Sequence, residues 1–209
     1  MTLGIHDYGL FVLSAILLNL APGQDTLYIL GRSLGQGRRI GVASALGVSA
    51  GTLVHTFAAA LGLSAIVAAS ESAFVAIKVA GAIYLLYLGI RALITPASLL
   101  DLDTTSRDGA RVAFRQGLVT NVLNPKVGLF FLAFLPQFVS AGAPHAAYGF
   151  LALGLTFVAT CTVWALILAA AAARVRHAFE RHGRARAWLT RAMGGVFLYL
   201  GARLAFADR

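Results

Sequence analysis

The sequence predicts an all-α, polytopic membrane protein of six transmembrane helices, arranged as two inverted three-helix repeats. Four observations support this prediction. The 209 residues are 59% hydrophobic and only 12% charged, whereas soluble domains are about 45–50% apolar and about 25% charged. The apolar residues form blocks of about 20, long enough to cross the hydrocarbon core of a bilayer. Arginines gather in alternate connections between the blocks, and sequence motifs recur in the two halves.

The six predicted spans are joined by short connections. They cover residues 8–30, 40–69, 74–94, 116–139, 146–172 and 188–206. No soluble domain remains beside them, so residues 1–209 are treated as one membrane domain. Repeat one covers about residues 8–94, a polar cytoplasmic linker about 95–113, and repeat two about 114–206. The first span lacks the basic start and the cleavage site of a signal peptide, so we expect it to be retained.

The charge pattern predicts the orientation in the membrane. The connections after spans one, three and five are rich in arginine, among them Arg38, Arg111 and Arg181, whereas the other two carry only Glu71 and His145. By the positive-inside rule, the arginine-rich connections lie in the cytoplasm and both termini lie outside it. These connections also account for the net charge of +9. Because no basic domain with interleaved aromatic residues occurs, no nucleic-acid partner is expected.

Motifs at equivalent positions indicate the repeat. Span three contains LYLGIR at 86–91, and span six contains LYLGAR at 198–203. Spans one and four match more loosely, as NLAP at 19–22 and NVLNP at 121–125. Because each half has three spans, the second half begins on the opposite side of the membrane. This is the inverted-repeat plan of many secondary transporters.

A proline interrupts span one. Pro22 lies in the stretch NLAPGQD, which begins at Asn19 and includes Gly23 and Asp25. Proline removes a backbone hydrogen bond, and in lipid such a break is tolerated only against protein or a wet cavity. We therefore predict a break that brings polar backbone and the Asp25 carboxylate to a site between the halves. The alternative is that Asp25 lies near the cytoplasmic interface and complements Arg32.

Span four contains a second break, in the stretch NVLNPK. Asn124 is a good helix N-cap and Pro125 suits the first helical position. A helix that starts near the middle of the membrane directs free N–H groups into the cavity. Lys126 follows at a depth where a charge costs about 3 kcal/mol, which favours a functional role. The predicted substrate-binding residues are Asn19, Pro22, Gly23, Asp25, Asn121, Asn124, Pro125 and Lys126.

Span two carries small residues and a histidine on one helix face. Gly47, Gly51 and His55 are four residues apart. Small residues let membrane helices approach closely, so Gly47 and Gly51 are predicted packing positions. His55 would then lie in the protein interior as a candidate carrier of the coupled proton. The alternative is a neutral histidine bonded to a neighbouring carbonyl. The single cysteine, Cys161, excludes an internal disulfide and is interpreted as a packing residue.

The two broken spans carry a resemblance to a known family. The chain resembles the LysE/RhtB family of amino-acid exporters in two stretches, LAPGQDTLYILGRSLGQGRRIGVASALGVSAG and NVLNPKVGLFFLAFLPQFV. The resemblance continues to the LYLGxR of span six. The first motif of the family usually reads P-G-P-D, so Pro22, Gly23 and Asp25 match, and Gln24 replaces the second proline.

The resemblance implies a bacterial inner-membrane exporter of amino acids or close derivatives, driven by proton exchange. It implies neither an enzyme nor a cofactor. The expected partners are an amino-acid substrate and the lipid bilayer. Because six spans enclose only a small cavity, a homodimer is a further expectation.

Two other classes of function stay open from the residues alone. One is export of another small solute, such as a metal ion or a drug-like compound. A metal exporter favours clusters of carboxylate, histidine or thiolate, and the spans offer only Asp25, His55 and Cys161, so no metal site is predicted. The other class is an intramembrane enzyme or assembly factor. The sequence contains no HExxH pair that would support a zinc-dependent enzyme and no P-loop that would support ATP-driven transport.

Overall fold

The computed structural model describes residues 3–63, 109–140 and 142–172, together with single positions in the remaining segments. This part of the chain is helical, and it contains no strand beyond one isolated bridge between Ile5 and Val139. A π-helical turn, Ala59–Leu63, extends the third helix, and a 3-10 turn, Leu135–Phe138, follows the fifth. The helices are α1 (Tyr8–Leu20), α2 (Gln24–Gln36), α3 (Arg38–Ala58), α4 (Ala110–Val122), α5 (Pro125–Ala133) and α6 (Ala146–Ala170).

Two helices are long and apolar enough to cross a membrane unaided: α3 with its extension, Arg38–Leu63, and α6. Two further candidates are bent: α1 meets α2 at 49°, and α4 meets α5 with its 3-10 turn at 50°. The described ranges therefore contain two unbroken candidate spans, or four if each bent pair crosses as one. The helical, membrane-spanning class is confirmed. The predicted spans at 74–94 and 188–206, the repeat motifs within them and most of the linker lie outside the described residues.

Most of the predicted connection between the first two spans, residues 31–39, is helical. α2 runs to Gln36 and α3 begins at Arg38, which leaves only Gly37 between them. Gly37 has φ +86°, a left-handed conformation that glycine adopts without steric cost. The prediction ended the span where polar residues begin. However, Arg32 is only 8% exposed, because its guanidinium donates to the side chain of Gln116 on α4.

An aromatic core fixes α5 against α1 and α6. The Phe130 and Phe134 rings stack with their centroids 4.5 Å apart, and the Phe130 and Phe157 centroids are 4.8 Å apart. Each such ring pair contributes about 0.5–1.5 kcal/mol beyond the burial of its area. The start of α5, one turn before Phe130, is therefore held in place. The fully buried phenylalanines of this core are Phe11, Phe130, Phe131, Phe134, Phe138, Phe150 and Phe157.

Two glycines of α3 bring its backbone against α4. A Cβ atom on Gly47 would clash with the carbonyl oxygen of Phe114. A Cβ atom on Gly51 would lie 2.7 Å from Cβ of Asn121 and 2.8 Å from the carbonyl oxygen of Leu118. No larger side chain fits at either position without moving backbone. We call this contact between Gly47, Gly51 and α4 the glycine seam, and it is packing of the small-residue kind found between membrane helices.

Candidate functional site

Both helix breaks occur where the prolines predict them. The first separates α1 from α2 around Pro22, and the second separates α4 from α5 just before Pro125. Because proline has no N–H, Pro22 cannot donate to the carbonyl of Leu18, four residues earlier. Asn124 caps α5 as predicted, since its Oδ1 accepts a hydrogen bond from the backbone N–H of Lys126 at 3.0 Å.

The side chain of Lys126 reaches the first break. Its Nζ donates to the carbonyl oxygen of Leu18 at 2.9 Å and to that of Ala21 at 3.0 Å. The Leu18 carbonyl is the one that Pro22 leaves without its helical donor. In a bilayer, an unsatisfied backbone group costs several kcal/mol, so the lysine of the second break stabilises the open end of the first. The same side chain passes Gly23, where a Cβ atom would lie 3.6 Å from Nζ.

Residues at the second break form hydrogen bonds with Asp25 at the first break. Asp25 lies in the first turn of α2, where the positive end of the helix dipole stabilises a carboxylate. Its Oδ2 accepts hydrogen bonds from the side-chain amides of Asn121 at 2.9 Å and Asn124 at 3.0 Å. Both asparagines are buried. Asp25 therefore lies at the junction of the two breaks, whereas Arg32, two turns further along α2, bonds to Gln116.

A cavity of about 40 Å³ lies between α1, α2, α5 and α6. Asp25 and Lys126 both line this cavity, together with Asn19, Gly23 and Asn124. The two charged side chains do not form an ion pair with each other; the hydrogen bonds of both go to neutral groups. Asp25 Oδ1 is buried and has no hydrogen-bond partner among the described residues. Lys126 uses two of its three N–H groups on carbonyls. Each charge therefore keeps capacity for a ligand.

The other predicted site residues do not line the cavity. Pro22 and Pro125 shape the breaks, and Asn121 supports Asp25 from α4. The Nε2 atom of His55 is 3.1 Å from the carbonyl oxygen of Asn121. This is the contact that the alternative interpretation of His55 describes, with the ring as donor to a carbonyl. His55 reaches Asp25 only through Asn121 in this network.

Three side chains at the site were not predicted. Thr52 Oγ1 donates to Asn121 Oδ1 at 3.3 Å and lies 3.8 Å from the sulfur of Cys161. Cys161, interpreted as packing, lines the cavity. Trp164 also lines it, and its Nε1 is buried with no partner in the described ranges. No signal in the sequence singles out Trp164, which lies in the last third of the apolar helix α6.

The whole chain was also compared with known proteins. The family model of the LysE type translocators matches residues 16–208. An uncharacterized membrane protein of Pseudomonas aeruginosa is 32% identical over 211 residues, covering 99% of this chain and 98% of the relative. An uncharacterized membrane protein of Vibrio cholerae is 31% identical over 206 residues, covering 97% and 98%.

A relative named for its transport activity also matches. The leucine efflux protein of Salmonella typhimurium is 34% identical over 173 residues, covering 80% of this chain and 81% of the relative. No solved structure matches the chain. The family model covers nearly the whole sequence, so the chain belongs to the LysE type translocator family and is a transporter rather than an enzyme.

Proposed function

We propose that this protein exports amino acids or close derivatives across the bacterial inner membrane by proton exchange. The observation that supports this best is a carboxylate and an ammonium group on one cavity, neither paired with the other. An amino acid carries both charges, so its ammonium group suits Asp25 and its carboxylate suits Lys126. The name of the Salmonella relative, a leucine efflux protein, favours the same class of substrate.

Each charged side chain keeps one hydrogen-bonding position for the substrate. Two amides fix Oδ2 of Asp25, so Oδ1 remains for the substrate ammonium group. Two carbonyls fix the ammonium group of Lys126, so its third N–H remains for the substrate carboxylate. Charge-assisted hydrogen bonds are roughly twice as strong as neutral ones, and here neither side chain has to be reordered to make them.

The size of the cavity bears on the transport cycle. About 40 Å³ is far less than the about 150 Å³ that accepts benzene, so this cavity by itself does not enclose a whole amino acid. A transporter that alternates its access closes its site to both sides during the cycle, and we propose that the structure corresponds to such a closed form. We further propose six spans in two inverted repeats, both termini outside the cytoplasm, and assembly as a homodimer.

Counterflow in proteoliposomes tests the proposal. Vesicles loaded with an unlabelled amino acid should accumulate the same labelled amino acid, with leucine as the first probe. Asp25→Asn and Lys126→Ala should lose this exchange while still inserting in the membrane. A matched control on α5 is Leu132→Ala, because Leu132 is 50% exposed and does not line the cavity. No exchange with any amino acid, or full exchange by Lys126→Ala, would overturn the proposal.

Export of a metal ion has less support. Among the described residues, no three histidine, cysteine, aspartate or glutamate side chains lie close enough to hold a metal ion. The cavity instead combines one carboxylate with a lysine, whose charge repels a cation.

A further inference from the structure

An apolar groove of about 340 Å³ lies between α1 and α6, next to the charged cavity. We call it the α1–α6 groove. Its walls include Ile16 and Leu20 from α1, and Ala159, Val163 and Ile167 from α6. Val163 is 60% exposed and Ile167 is 46% exposed, so the groove opens on the outer face of these two helices.

Two residues line both the groove and the charged cavity: Asn19 and Trp164. Asn19 Nδ2 donates to Thr160 Oγ1 at 3.1 Å, which ties α1 to α6 one helical turn from Trp164. Because the polar ends of Asn19 and Thr160 bond to each other, they leave the groove apolar. Trp164 lines both spaces beside this bond. Its Nε1 is a buried donor that has no partner among the residues described.

We propose that Trp164 divides the substrate site, with the charged head group of the amino acid in the cavity and an apolar side chain across the indole in the α1–α6 groove. This inference rests on the proposed function. The cavity of about 40 Å³ cannot hold a whole amino acid. The groove of about 340 Å³ exceeds the about 150 Å³ that accepts a benzene ring.

The chemistry of the groove selects among side chains. A charged or strongly polar side chain would lose water there without gaining a hydrogen-bond partner, which is costly. Aliphatic and aromatic side chains are favoured, because burying each methylene group contributes about 0.8 kcal/mol. The groove therefore acts as a specificity pocket for apolar amino acids.

The indole nitrogen has a separate part in binding. It is a donor only, so it can bond to the substrate carboxylate but not to the substrate ammonium group. In this proposal it is a second donor for the carboxylate beside Lys126, and the free oxygen of Asp25 accepts from the ammonium group. Trp164 is thus a binding residue as well as a partition.

Filling the groove tests the proposal. Exchange is measured in proteoliposomes with alanine, leucine and phenylalanine, each labelled in turn. Val163→Phe adds a ring from an exposed position, so it should lower leucine and phenylalanine exchange at least about tenfold relative to alanine. The control is Leu155→Phe, since Leu155 lies two turns earlier on the same face, is 46% exposed and does not line the groove. It should leave the relative rates unchanged.

A second pair of variants separates the two parts of Trp164. Trp164→Phe keeps an aromatic partition but removes the donor, so KM for all three amino acids should rise about tenfold or more while their order stays the same. Trp164→Ala removes the partition and should change that order. Equal KM values for wild type and Trp164→Phe would remove the indole nitrogen from the site.

Other occupants of the groove predict different results. If an acyl chain or a second copy of the protein fills it, Val163→Phe should change the exchange of all three amino acids equally, or only the oligomeric state. Either result would overturn the proposal. Ala159→Leu provides the same test if Val163→Phe does not reach the membrane. Failure of the wild type to exchange any amino acid would instead overturn the proposed function.

Discussion

The ammonium group of Lys126 lies 2.9 Å from the carbonyl oxygen of Leu18, the acceptor that Pro22 leaves without its helical donor. A side chain from one broken helix thus replaces the backbone N–H missing from the other. In return, Asn121 and Asn124 at the second break hold Asp25 at the first. Because the two breaks stabilise each other, a change at either should affect both stability and transport.

Lys126→Ala should lose transport and stability together. It removes the proposed ligand of the substrate carboxylate and frees the carbonyls of Leu18 and Ala21, at a cost of about 1–3 kcal/mol for each buried group. Lys126→Arg should also lose exchange, because a planar fork does not replace a compact ammonium group between two carbonyls. Counterflow and thermal unfolding in detergent measure the two effects. Normal unfolding of Lys126→Ala would show that the bond to Leu18 contributes nothing to stability.

Asp25→Asn should remove the negative charge of Asp25 and keep the shape of its side chain. An asparagine oxygen can still accept the amide of Asn121 or Asn124, so the unfolding temperature should change little. The negative charge for the substrate ammonium group is lost, and exchange should fall about 10- to 100-fold, as expected for a hydrogen bond to a charged group. Leucine counterflow measures this loss. Exchange at the wild-type rate would remove Asp25 from the substrate site.

His55→Gln tests proton coupling. If His55 carries the coupled proton, the variant should keep amino-acid exchange and lose uphill export driven by a pH gradient. The amide of glutamine can still donate to the carbonyl of Asn121, so a purely packing role predicts no change, or an equal fall in both activities. Export and exchange measured in the same vesicles distinguish these outcomes. An equal effect on both would assign His55 to packing.

Gly51→Ala should destabilise the protein. The added Cβ atom would lie 2.7 Å from Cβ of Asn121 and 2.8 Å from a backbone oxygen, so α3 and α4 would have to separate. Overpacking of this kind costs about 1–3 kcal/mol. The matched control is Gly9→Ala, because nothing lies within 4 Å of a Cβ atom there. Thermal unfolding should show a lower midpoint for Gly51→Ala only, and equal midpoints would contradict the glycine seam.

Cysteine labelling tests the orientation. In a Cys161→Ser background, Arg38→Cys and Arg181→Cys should react only with reagents that reach the cytoplasm, and Thr2→Cys should react with an impermeant reagent added outside. Cys161 is the single native cysteine, so this background has no other reactive thiol. An N-terminal cysteine labelled only from the inside would contradict the six-span topology.

Local chemistry explains which features the sequence predicts. Pro22 and Pro125 lack an N–H in any context, so the positions of both breaks follow from the sequence. The cap by Asn124 is equally local. The bond from Lys126 to Leu18 joins residues 108 positions apart and depends on how the helices pack. The sequence indicates a functional lysine there, but not its bonds to the broken helix.

Burial of a polar residue explains why α2 continues into the predicted connection. Hydropathy assigns Arg32 to a loop because an arginine is costly in an apolar helix. The structure satisfies its guanidinium with Gln116 from another helix, and α2 therefore continues to Gln36. The sequence does not predict the position of Trp164 next to the cavity and the groove, because that position depends on how α6 is rotated against α1.

The glycine seam has a consequence for movement. α3 lies in the first half of the chain and α4 in the second, and their backbones meet at Gly47 and Gly51 without room for a side chain. Val48 and Thr52 follow these glycines by one residue, about 100° further round α3, so turning α3 on its axis would bring larger side chains towards α4. The two halves of the chain are therefore held in one relative register at this contact. A change in that register requires α3 and α4 to separate first.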